Sequence, residues 1–70
     1  MKQKSLFAQR LSQARKDKGW SQWSFAEEIG MSIQSVVAWE NDYRIPNVDA
    51  FVYIVKALGV SADWLLGVNE

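Results

Sequence analysis

The sequence contains no cysteine and no histidine. No disulfide can staple the fold, and neither a thiolate nucleophile nor an imidazole is available for metal binding or proton transfer. The eight carboxylates show no ligand-like clustering. With only dispersed carboxylates and isolated lysines to work with, the chain is expected not to be an enzyme, and neither a metal nor any other cofactor is expected. No apolar run is long enough for a signal sequence or a membrane span, so the chain reads as soluble and cytoplasmic, with no membrane partner. Proline occurs once, at Pro46, where it makes Ile45 extended and separates a loop from the helix that follows.

Net charge is absent too, the eight cations balancing eight acids. The distribution is lopsided. Residues 1–18 carry Lys2, Lys4, Arg10, Arg15, Lys16 and Lys18 against Asp17 alone, a net +5, and the remainder carries −5. Such asymmetry is compatible with one phosphate-facing end, although many ordinary surfaces are equally uneven.

What the chain has is apolar side chains, 49% of its residues, with four Trp, three Phe and two Tyr among them. Seventy residues make one domain, since a chain this short buries only roughly 60% of its unfolded surface and cannot build two cores. Without staples, stability must come from packing. The spacing predicts an all-α bundle of five short helices. Ser5 is placed to cap the first, with Phe7, Leu11 and Ala14 on one face and an end near Lys18, just before Gly19. Ser21 caps the second, with Phe25, Ala26 and Ile29 inward. Gly30, Met31 and Ser32 form a tight turn, glycine there permitting the left-handed conformation that stops a helix. Ser32 caps the third, with Val36 and Trp39 inward and Ile33, Gln34, Val37 and Ala38 on a different face. Asn47 caps the fourth, whose Val48, Phe51, Val52, Val55 and Leu58, broadened by Ile54, form a core stripe. Ser61 caps a last short helix bearing Trp64, Leu65 and Leu66. Gly67 to Glu70 reads as a tail or the start of a linker.

The stretch from Ser21 to Asn41 resembles the helix-turn-helix of the Cro and CI repressor family, the lambda-repressor-like DNA-binding domains. The residues that carry the likeness are Gln22 after a capping serine, Ala26 at the crossing, Gly30 in the turn, Ser32 as second cap, and Trp39-Glu40-Asn41 closing the third helix. It extends to Arg44-Ile45-Pro46 and to the run from Ala57 to Leu66. Together these are specific; any one alone is weak.

The resemblance implies sequence-specific binding of double-stranded DNA by a repressor or Cro-like regulator of prokaryotic or phage origin. Ile33, Gln34, Val37 and Ala38 would then face the major groove. Gln34 alone among them both donates and accepts, matching adenine, and the three aliphatics suit thymine methyls. Gln22 would reach the DNA backbone and brace the third helix. Ser32, Ser35, Asn41, Tyr43 and Arg44 are further backbone candidates, and Arg10 supplies charge for the same purpose. Glu40 would pair with Arg15 as a structural ion pair. Trp64, Leu65 and Leu66 would form the contact of a homodimer on a two-fold symmetric site. The face bearing Glu27 and Glu28 touches RNA polymerase in some phage repressors. Asp42 and Tyr43 depart from the family, and Asp42 sets a carboxylate beside the expected phosphate path.

A second class of function stays open. The apolar Ile33, Val37 and Ala38 face, or Trp23, could bind protein instead, as in an antitoxin or a regulator's partner. Trp20 reads as a core anchor. Trp23 reads equally as a partner surface or as an indole lying flat over neighbouring aliphatics.

Overall fold

Every helix begins on a side chain that closes its own first turn. In the computed structural model, which describes residues 3–68, Ser5, Ser21, Ser32, Asn47 and Ser61 each accept the backbone N–H three residues on. Each cap satisfies an otherwise orphaned donor and contributes about 1 kcal/mol. The helices that follow are α1 (Leu6–Asp17), α2 (Gln22–Ile29), α3 (Ile33–Glu40), α4 (Val48–Leu58) and α5 (Ala62–Leu66). No strand occurs among the described residues.

The C-terminal ends are closed as locally as the starts. Gly30 stops α2 at φ 70°, in the left-handed region, and the next residue's N–H, on Met31, reaches back to the Ala26 carbonyl. Gly67 does the same for α5 at φ 75°, and the Val68 N–H returns to the Asp63 carbonyl. A Cβ on Gly67 would also lie 2.9 Å from Leu6 Cδ1, so this glycine lets α5 dock against the start of α1. Gly67 and Val68 thus close α5, and residues 69–70 of the stretch read as a tail or linker lie outside the described part.

The five helices surround one core. Leu11, Phe25, Val36, Ile54 and Leu65, one from each helix, are fully buried. Taking each such side chain out of water contributes about 1.5 to 3 kcal/mol. Trp20, in the α1–α2 connection, stacks on Phe25 with ring centroids 5.8 Å apart, the anchor that its place in the sequence suggested. The buried face of α4 differs from the expected stripe. Ala50, Ile54 and Leu58 line the core, while Val48 is 78% exposed and Val52 stands largely in solvent. The stripe is rotated toward the small Ala50, which hydrophobicity alone does not single out, while Phe51 and Val55 pack at its edge.

Candidate nucleic-acid interface

The site is assembled from α2, the three-residue turn and α3. Phe25, Ala26 and Ile29 bury one side of α2, and Val36 and Trp39 bury one side of α3. What α3 leaves accessible is Ile33, Gln34, Ser35 and Val37, with Gln34 exposed, the others half-buried, and Ile33 also packed against the core. A flexible amide with a donor and an acceptor is thus held between two apolar side chains on a short rigid helix.

The angle of that helix is fixed by a buried polar network. Arg15 on α1 donates from Nε to Glu40 Oε2 at 2.7 Å and from Nη2 to Glu40 Oε1 at 3.1 Å. Its Nη1 donates to the Trp20 carbonyl at 2.8 Å, and Gln22 Nε2 donates to Glu40 Oε1 at 3.1 Å. Both ions are almost wholly buried, and among the described residues no buried side-chain nitrogen or oxygen lacks a partner. Gln22 thereby braces the end of α3 from the start of α2.

A second, exposed chain of contacts runs along the other side of α3. The Ser32 hydroxyl caps the helix and lies 3.1 Å from the Ser35 hydroxyl. Arg44 Nη2 donates to Ser35 Oγ at 3.4 Å, which brings a cation from the α3–α4 loop alongside the outward face of α3. Asn41 closes the helix by donating from Nδ2 to the Val37 carbonyl. Tyr43 is 77% exposed at the same end.

Three site residues lie differently from the expectation. Ala38 is only 8% exposed, and its carbonyl accepts the N–H groups of both Tyr43 and Arg44, so the loop folds back onto the end of α3. Arg10 is held against α5, donating from Nη1 to the Trp64 carbonyl with its guanidinium carbon 5.2 Å from the centre of the Trp64 ring. It thereby helps pack α1 against α5. Leu65 is fully buried, which removes it from any contact with a second chain; Trp64 is half-buried under Arg10, and Leu66 stays 49% exposed.

Asp42 takes the left-handed conformation at φ 62°. Its carboxylate accepts the Ser5 backbone N–H at 2.6 Å and the Ser5 hydroxyl at 2.7 Å. These two bonds, with a smaller contribution from Lys4, hold its carboxyl below the usual range, against a slight desolvation. The acid that departs from the family pattern is thus latched to the start of α1, and nothing in the sequence signals a bond across 37 positions.

Trp23 is the feature whose place the sequence left open. It is 60% exposed. With Ala26 and Glu27 it lines one wall of a cleft of about 360 Å³, whose other wall is Met31, Ser32, Ile33 and Gln34. The spacing of Trp23, Ala26 and Glu27 at i, i+3 and i+4 marks one stripe of α2, and that stripe faces the turn.

Two short helices crossing through a glycine turn, the second presenting its outer face on a braced base, constitute a helix-turn-helix unit. The helix-turn-helix family model matches residues 11–65. The chain is 34% identical over 61 residues to the HTH-type transcriptional regulator ImmR of Bacillus subtilis (strain 168), covering 87% of this chain and 48% of that protein. It is 33% identical over 61 residues to the SPbeta prophage-derived uncharacterized HTH-type transcriptional regulator YonR of the same organism, covering 87% and 56%. With the HTH-type transcriptional regulator AnsR, also of that organism, it shares 31% over 58 residues, covering 83% and 50%. No solved structure matches the chain significantly. The chain belongs to the Cro/CI-type helix-turn-helix family. It spans about half the length of the relatives it matches. Among the described residues no helix is long and apolar enough to cross a membrane, and no three acidic side chains gather as a metal site.

Proposed function

We propose that this domain binds duplex DNA sequence-specifically in the cytoplasm and regulates transcription, as a repressor or Cro-like regulator, with α3 in the major groove. The observation that carries the reading is Gln34. It is exposed between Ile33 and Val37 on a helix whose orientation is set by the Arg15–Glu40–Gln22 network. Its amide matches the adenine N6 and N7 edge, and the aliphatics suit thymine methyls, so the preferred sites are A·T-leaning. Arg44, Tyr43, Ser35, Ser32, Asn41 and Gln22 surround that face as the candidate backbone contacts, with the starts of α2 and α3 directing N–H groups toward phosphate.

The same reading includes a homodimer. Leu66 lines an apolar cleft of about 420 Å³ with Phe7, Ile45, Pro46, Val48 and Phe51, and both Ile45 and Val48 are largely exposed. A second copy related by a two-fold axis would cover this end of the molecule and set two α3 helices one DNA turn apart, about 34 Å. Glu27 and Glu28, exposed on α2, are open to RNA polymerase.

Selection from a pool of random duplexes tests the proposal. Enrichment of a two-fold symmetric site supports it; recovery of unenriched sequence at every round refutes it. The rival reading, protein binding by the apolar α3 face or by Trp23, keeps Ile33, Val37 and the exposed Trp23, while Ala38 is buried.

A further inference from the structure

We propose that Trp23 is a DNA contact, resting its indole on the sugar-phosphate backbone at the rim of the major groove beside the base read by Gln34. The inference rests on the DNA-binding reading above. Trp23 is the second residue of α2, and Ser21 as N-cap engages the Ser24 N–H and hydroxyl, so the first-turn amides of Gln22 and Trp23 have no partner within the helix. The indole stands 60% in solvent, and its N–H meets no acceptor among the described residues. It stands across one cleft from Ile33 and Gln34. When α3 lies in the groove, the strand bordering that groove has to pass this wall of the cleft, because α2 crosses the backbone there.

An indole suits that position chemically. Its flat face covers deoxyribose, and its one donor is directed at a phosphate oxygen, while it can accept nothing. Glu27, one turn further along the same wall, carries like charge to phosphate and disfavours a strand close to it. A neutral side chain in this role also fits a chain in which two of the arginines are engaged inside the bundle. Arg15 is buried on Glu40 and Arg10 is packed on Trp64.

The test uses the full chain and the duplex recovered by selection. Trp23→Ala is expected to weaken binding about tenfold, through loss of one hydrogen bond and the ring's packing. Trp23→Phe, which keeps the ring and loses the donor, should fall between. Neither changes charge, so the log–log salt slope stays at the wild-type value, whereas loss of a phosphate-neutralising arginine lowers it by about 0.9. The ranking of single-base site variants is preserved, as for any backbone contact. With 5-fluorotryptophan in the chain, the fluorine resonance lost in Trp23→Phe should shift on addition of the duplex. Full affinity in Trp23→Ala overturns the proposal and leaves the indole free for a protein partner. An unshifted Trp23 resonance overturns it even if affinity falls. If the wild-type chain selects no duplex, the DNA reading itself fails and this inference with it.

Discussion

Arg15 and Glu40 are 25 positions apart in the chain and meet through two hydrogen bonds, at 2.7 and 3.1 Å, inside the bundle. The pair contributes little net stability against a hydrophobic alternative, because both ions lose their hydration. Its effect is geometric. It ties the last turn of α1 to the last residue of α3, and any tilt of α3 would lengthen a charge-assisted bond in a low-dielectric site.

Arg15→Met is expected to destabilise the fold by about 3 to 5 kcal/mol, because it strands the Glu40 carboxylate with Gln22 as its remaining side-chain donor. The double variant Arg15→Met, Glu40→Leu should recover a large part of that loss. Urea melts of wild type, single and double variants check this. A double variant no more stable than the single would show that the cost lies in packing, not in the orphaned charge.

A second latch joins Ser5 to Asp42, and its pH dependence has a definite sign. The carboxyl is held below its ordinary value of 3.8 by the two Ser5 bonds. A depressed folded-state pKa gives stability that is present above the unfolded value and lost as pH falls through the folded one. Asp42→Asn keeps a residue that tolerates the left-handed turn, so it isolates the charge. Its urea midpoint should lie slightly below wild type by a constant margin from about pH 5 to 8, the margin closing below pH 4. A margin that persists to the most acid measurable point would assign the effect to shape.

Much of this architecture is legible in the residues because its determinants are local. Ser5, Ser21, Ser32, Asn47 and Ser61 are capping side chains at the places where the apolar periodicity begins, and Gly30 needs the conformation that only its missing Cβ makes easy. The partnership of Arg15 with Glu40 came from family resemblance, not from any spacing rule. What periodicity could not supply was depth. Val48 and Ile54 are equally hydrophobic, yet one is 78% exposed and the other fully buried, because α4 turns the face of Ala50, Ile54 and Leu58 to the core. Arg10 and Ser5 were illegible for another reason. Their partners, Trp64 and Asp42, are distant in sequence, and a cation's commitment to a carbonyl or a ring leaves no local mark.

The proposed dimer face makes a separable prediction. Leu66→Glu places a charge at the apolar cleft shared with Ile45 and Val48 while leaving the buried Leu65 intact. Binding to a full two-fold site should fall about 100-fold, the advantage of linking two half-site contacts, while binding to an isolated half-site is unchanged. Titrations on the two duplexes, with sedimentation of the free protein, measure it. Equal losses on both duplexes would indicate damage to the fold, and no loss on either would place the dimer contact elsewhere.

The last prediction separates reading from positioning. Gln34 is the outward residue of α3 with both a donor and an acceptor, so Gln34→Ala should cost about 1 to 3 kcal/mol on the preferred site and relax discrimination at one base pair per half-site. Arg44 is bonded to Ser35 on the flank of the same helix and belongs to the loop proposed to meet the DNA backbone. Arg44→Ala should therefore weaken all duplexes about equally, preserve their ranking and reduce the salt slope by about 0.9. The two variants thus move different observables, one the order of a panel of single-base site variants and the other its common level. If the panel keeps its full ranking without Gln34, Ile33 and Val37 or the deformability of the duplex read the sequence, and the glutamine is only a neighbour of the groove.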